Sequence, residues 1–231
     1  MIYQPAKEES EMTEVTAFRK ELKAICDAEW EKIKAGRFFQ MMKRPELQRD
    51  LYIKSIVQVY HYTKNNAINQ AVACWNQDHK KVGLLRFAMK HALEELGHEN
   101  MAYNDLIAIG VDKSEFDKPM LPATEAFYGY LDFVSVCRGI IPRLGYSFWA
   151  EDCYEHLEPL MDVCKNHLKL TDQQLTFFVA HAIIDEKHSE QVNAAIDRWV
   201  VTDEEKESVK QVARTTVYLM GKILESVADE F

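Results

Sequence analysis

Residues 179–191 read VAHAIIDEKHSEQ, and their spacing decides how the chain folds. His181, Asp185 and His188 stand four and three residues apart. At 3.6 residues per helical turn they fall within about 60° of one another on a helix wheel. Phe177, Phe178, Ala182, Ile184 and Ala195 give the same helix apolar bulk, and Phe178 and Ala182 lie on or beside the polar stripe. The stripe is therefore expected to face inward. An interior carboxylate between imidazoles is costly unless it is paired or bound to a cation. Half a metal site is one reading. A solvated face, or a structural network of one Asp and two His, is the other, and this stretch alone weighs them evenly.

A second cluster, His91-Ala-Leu-Glu94-Glu95-Leu-Gly-His98, shifts that balance. Glu95 and His98 form an ExxH pair, the i,i+3 spacing with which di-iron carboxylate bundles bridge and cap metals. Glu94 lies four residues before His98 and could serve instead, and His91 lies two turns before it. Gly97 would let a backbone or ligand come close. Taken alone, this run reads more simply as a charged surface. A third helix should add a carboxylate, and Glu151 in RLGYSFWAEDCYEH is the candidate, with Asp152 and Glu155 as rivals. Mixed histidine and carboxylate ligands without cysteine suit Fe, Mn or Zn. Five or six donors suit two metals better than one. The reading is thus two Fe(II) ions, with dimanganese or a single iron behind it.

The rest of the chain fits one helical domain spanning residues 1–231, with a flexible start over residues 1–10. It has 231 residues, 47% hydrophobic and 28% charged, enough for a substantial core. Net charge −9 argues against nucleic acid and anionic membranes as partners, because no basic stripe is present. Cys26, Cys74, Cys137, Cys153 and Cys164 are scattered, which predicts reduced thiols and a cytoplasmic location. No apolar run has the ~18–20 residues of a membrane helix.

Helical periodicity predicts an all-α bundle of seven to eight helices. Its segments are expected near residues 11–35, 46–76, 81–109, 124–137, 143–167, 172–199 and 202–229. Thr171 with Gln174 and Thr202 with Glu205 are capping-box signatures. Pro119 and Pro122 keep the 111–124 connector out of a helix.

The blocks YHYTKNNAINQA, HALEELGHENMAYNDLIAIG, LGYSFWAED and HAIIDEKHSEQVNAAID, in that order, resemble the heme-oxygenase-like dimetal oxidases and oxygenases. These are a branch of a larger thiaminase-like and PQQ-synthase-like helical group. The resemblance covers roughly residues 45–200 and implies a heme-oxygenase-like fold and a di-iron site using O2 as co-substrate. It implies Glu95, His98, Glu151, His181, Asp185 and His188 as metal ligands. Several members carry a glutamate where this chain has His91, and others draw a ligand from the preceding helix, where this chain offers Tyr60 or His61. His61, His91, Glu94 and Tyr60 therefore stand as further ligands or as hydrogen-bond partners of ligands.

The expected activity is O2-dependent oxidation of a small carboxylate-bearing molecule, first an amino acid and alternatively a fatty acid. Arg143 is either a fork for that carboxylate or, more simply, a helix-end surface residue. Tyr60, His61 and Tyr103 would support the ligands by hydrogen bonding. Two readings from other classes are a metal-free thiaminase-like hydrolase using Cys137 or Cys153 and a non-catalytic helical binding protein. A homodimer is compatible with such a bundle. Heme degradation is not expected, because no histidine precedes His61.

Overall fold

The computed structural model describes the backbone of residues 5–231 and the side chains of residues 17–182 and 187–231. The described chain is helical throughout. Its α-helices are α1 (Pro5–Ala35), α2 (Arg37–Met41), α3 (Pro45–Thr63), α4 (Asn66–Val72), α5 (Val82–Glu95) and α6 (Glu99–Ala108). They continue with α7 (Pro122–Phe133), α8 (Ile140–Ala150), α9 (Tyr154–Asp162), α10 (Thr176–Trp199) and α11 (Asp203–Ala228). The first helix begins before the expected residue 11. Of the start expected to be flexible, residues 1–4 lie outside the described residues.

Helix α8 is the axis of the bundle. From Ile140 to Trp149 nearly every side chain is buried, which is what a helix apolar on all sides requires. It packs most heavily on α11 and also on α10. In α11, Val209, Val212, Ala213, Thr216, Val217, Met220, Ile223 and Leu224 repeat at helical spacing and form the face that meets it. The two helices touch backbone to backbone at Gly145, where a Cβ would stand 2.2 Å from the Val209 carbonyl oxygen and 2.8 Å from the Ala213 nitrogen. Only glycine fits there. The Thr202–Glu205 capping box opens α11 as expected, while the Thr171–Gln174 box caps a short 3₁₀ turn just before α10.

Three of the long helices expected from periodicity are interrupted. Residues 46–76 break between Thr63 and Asn66, residues 81–109 at Leu96–His98, and residues 143–167 at Glu151–Cys153. Gly97 turns the second break with φ +96°, a left-handed conformation that favours glycine. Two of these breaks carry Glu95, His98 and Glu151 at their edges. Further π-helical turns end α7 and α9, over Val134–Arg138 and Val163–His167. Among the described residues, no helix is long and apolar enough to cross a membrane.

Candidate metal centre

The ends of α5 and α8, the start of α6 and the middle of α10 bring the sequence-predicted donors together. Glu95 lies at their centre. One of its oxygens, Oε1, is 3.2 Å from His188 Nδ1, and the other, Oε2, is 3.3 Å from His98 Nδ1. Around Oε1 stand Glu151, whose Oε2 is 3.5 Å from His188 Nδ1, and His91, whose Nε2 is 3.1 Å from Glu151 Oε1. Around Oε2 stand His98 and His181, with His98 Nδ1 and His181 Nε2 3.1 Å apart. Each set could hold one cation, with donor atoms within 4.8 Å of one another. The two sets share Glu95. Asp185 belongs to α10, but its side chain lies outside the described residues.

The cluster is buried and charged. His91 and His188 are 2% exposed, Glu95 9% and Glu151 10%. Burial works against ionised Glu95, yet hydrogen bonds from His188 and His98 hold its carboxyl well below the usual range. Glu151 is lowered likewise, as His188 and His91 outweigh its burial. Burial disfavours charge on His188, but Glu151 and Glu95 push it up to about 10. Glu95 raises His98, while burial lowers His181. Without a cation, therefore, protons on His188 and His98 offset the carboxylate charge.

The outer nitrogens decide which ring atoms can ligate. His181 Nδ1 donates to the Phe177 carbonyl at 2.5 Å, leaving Nε2 as the lone-pair nitrogen toward the cluster. The Glu94 carboxylate lies 3.4 Å from His188 Nε2, so the proton can sit on Nε2 and free Nδ1. Such outer acceptors fix the tautomer of metal-binding imidazoles. Glu94 also pairs with Lys187 and Lys90, at 3.3 and 3.6 Å. The donor set fits a divalent cation on one observation above others. Glu95 Oε1 and His188 Nδ1, which face each other, are both buried without a well-aligned hydrogen-bond partner.

Several residues go elsewhere. Tyr60 and His61 do not reach the cluster. Tyr60 packs with Tyr103 and Phe116 (ring centroids 6.0 and 5.0 Å away), because its part of α3 faces α6 and the 113–117 turn, and His61 is buried against Tyr60 at 5.6 Å. Glu155, a rival to Glu151, turns with Asp27 and His156 into a separate grouping between α1 and α9, where Lys23 pairs with both carboxylates.

Arg143 corrects the sequence reading most. It is not a surface residue but fully enclosed, at 2% exposure. Its Nε donates to Asn69 Oδ1 at 2.8 Å, Nη1 to Gln70 Oε1 at 2.5 Å and Ser147 Oγ at 3.3 Å, and Nη2 to Asn66 Oδ1 at 2.7 Å. Neutral acceptors on α4 absorb its donors, and burial lowers it to about 10. Gln70 also reaches His91 Nδ1 at 2.8 Å. This support was missed in the sequence, although Asn66, Asn69 and Gln70 stand at i, i+3 and i+4 in NNAINQ, a polar stripe that could have marked it.

A cavity of about 130 Å³ opens beside the cluster. Trp30, Tyr62, Tyr146, Trp149, Phe177 and Met220 line it, with Glu95, Glu151 and His181 on its wall. Among the described residues, no Lys or Arg lines it. Of the aromatic residues between positions 127 and 149, Tyr146 and Trp149 reach it. Cys153 lies on its wall, and Cys137 is exposed elsewhere.

Residues 54–221 match the family model of iron-containing redox enzymes. The chain belongs to this family. Among solved structures, this member of the family is similar to a domain of unknown function with a heme oxygenase-like fold from Shewanella denitrificans OS217. The two are 35% identical, with a TM-score of 0.85 over 91% of this chain and 92% of the other. A TenA homolog from Pseudomonas syringae pv. tomato DC3000 shares the fold at 14% identity, with a TM-score of 0.75 over 92% and 93% of the two chains. A TenA homologue from Pyrococcus furiosus does so at 14% identity, with a TM-score of 0.69 over 91% and 99%. No curated protein sequence matches significantly. The all-α, heme-oxygenase-like architecture read from the sequence is therefore the fold of this family member.

Proposed function

We propose that this chain is a non-heme di-iron, O2-dependent oxidoreductase acting on a small apolar acid. One observation carries the proposal: the two oxygens of Glu95 face two separate donor sets, at 3.2 Å from His188 and 3.3 Å from His98. A carboxylate so placed would serve both donor sets. Glu95, Glu151 and His188 would hold one ion, and Glu95, His98 and His181 the other, with Asp185 available on the same helix. When bound, iron supplies the redox chemistry that reduces O2 and oxidises the substrate.

The protein's part is placement and water exclusion. The Phe177 carbonyl and Glu94 present His181 and His188 in ligating tautomers. The aromatic wall excludes water from the face where Glu95, Glu151 and His181 meet the cavity. With no Lys or Arg on that wall among the described residues, a substrate carboxylate would find its counter-charge at the metal site. That favours an acyl or aryl acid over a zwitterionic amino acid, whose ammonium and carboxylate would both need partners.

Anaerobic loading with Fe(II), followed by O2-uptake assays against short acyl acids, aryl acids and amino acids, tests this. The expected result is iron retained in the protein and O2 consumed fastest with an apolar acid. His188→Ala should lose both. Full activity in that variant, or in iron-stripped protein, would overturn the proposal and turn attention to Cys153 on the cavity wall.

A further inference from the structure

We infer that His91 is not a metal ligand but a neutral hydrogen-bond donor, fixed in its Nε2–H tautomer by Gln70 and Arg143 to hold Glu151. The inference rests on the metal-pair reading for its consequence, and on hydrogen-bond polarity alone for the tautomer.

The polarity runs one way. A guanidinium has donors and no acceptor. Arg143 Nη1 lies 2.5 Å from one amide atom of Gln70, so that atom is the oxygen. The Gln70 NH2 group must then point the other way, toward the Ala88 carbonyl at 3.4 Å and His91 Nδ1 at 2.8 Å. Both are acceptors, as the amide requires. His91 Nδ1 therefore carries the lone pair, and its proton sits on Nε2. That nitrogen faces Glu151 Oε1 at 3.1 Å.

The contrast with the other rings is direct. His181 and His188 have acceptors behind them, the Phe177 carbonyl and Glu94, which pull the proton outward and free the inner nitrogen. His91 has a donor behind it, which pushes the proton inward. Coordination through Nε2 would require removing that proton or turning Gln70 donor-first onto Arg143. The Nε2–H is not yet well aligned on a partner. A turn of the Glu151 carboxylate about its soft terminal torsion closes the bond. Glu151 would then offer Oε2, on the His188 side, to a cation.

Long-range ¹H–¹⁵N NMR of the metal-free, imidazole-labelled full chain reads the tautomer directly. We expect His91 Nε2 protonated and Nδ1 bare, with the reverse in Gln70→Glu, where a carboxylate accepts from both Arg143 and His91. A proton on Nδ1 in the unsubstituted protein, or an unchanged tautomer in the variant, overturns the inference. In Fe(II) titrations read by metal content, His91→Gln should bind as many ions as the unsubstituted protein, about 10–100-fold more weakly, as loss of an outer hydrogen bond does. Loss of one ion would make His91 a ligand and overturn the inference. Absence of any iron uptake by the unsubstituted protein would refute the proposed function, while the NMR result would still decide the tautomer.

Discussion

Glu94 Oε2 stands 3.4 Å from His188 Nε2, on the opposite side of the ring from the nitrogen that faces Glu95 and Glu151. Adjacent glutamates on α5 thus address the two edges of one imidazole. The first is placed to set its tautomer, and the second faces the inner nitrogen that would bind a cation. Glu94→Gln should therefore keep every metal site but weaken iron binding about 10–100-fold. Chelator competition measures this. Unchanged affinity would remove Glu94 from the account.

Arg143 acts through α4, not on the substrate. Arg143→Met leaves Gln70 Oε1 without its donor in the core, removes the donor to half-buried Asn66 and leaves Asn69 Oδ1 with Ser135 alone; an unpaired buried acceptor is worth about 1–3 kcal/mol. The expected loss of stability is about 3 kcal/mol by urea denaturation, and Arg143→Lys should recover little of it, because an ammonium cannot reproduce the planar fork. A variant of full stability that showed only a raised KM for acids would return Arg143 to the role of substrate fork.

The cluster also sets a pH dependence. His188 is raised to about 10 by Glu151 and Glu95 against the effect of burial. Its unfolded value is about 6.5, so its stabilisation is complete below about pH 6.5 and is lost as pH rises through about 10. Glu95 is depressed, so its contribution is present above about pH 4.3 and is lost as pH falls toward its folded value. The cluster's share in the metal-free protein is therefore largest between about pH 4.3 and 6.5. Iron must displace the inner proton of His188, so uptake should release protons and tighten with pH. Calorimetry in buffers of different ionisation enthalpy reads the release. Proton-neutral binding would contradict it.

Gly145→Ala tests the helix crossing that carries Glu151. The new methyl would meet the Val209 carbonyl and the Ala213 nitrogen, which are backbone and cannot swing aside. Destabilisation of about 3 kcal/mol, the upper end for overpacking, is expected in thermal or urea unfolding. A neutral effect would mean that α8 and α11 sit further apart than described.

The sequence made visible what is local. The i,i+4 and i,i+3 spacings of His181, Asp185 and His188 lie within one helix, α10, and set them beside its apolar residues, whereas Glu95 and His98 stand on either side of the break at Gly97 and their run reads more simply as a charged surface. Glu151 was legible as a residue type at the end of an apolar run. Long-range selection among equals was not legible. Tyr60 and His61 sit on a helix with several buried faces, and packing on α6 turned them away from the cluster. Arg143 looked like a surface cation because its neutral partners lie on another helix, more than seventy residues earlier in the chain. The breaks at Leu96–His98 and Glu151–Cys153 leave little trace in periodicity, although Gly97 marks the first.

The sharing of Glu95 is tested most directly by iron content per chain after anaerobic loading and desalting, compared with Glu95→Ala. The account predicts two Fe(II) per unsubstituted chain and loss of both in the variant, since each donor set loses its common carboxylate. Two ions retained in Glu95→Ala, or a single ion in the unsubstituted protein, would contradict it.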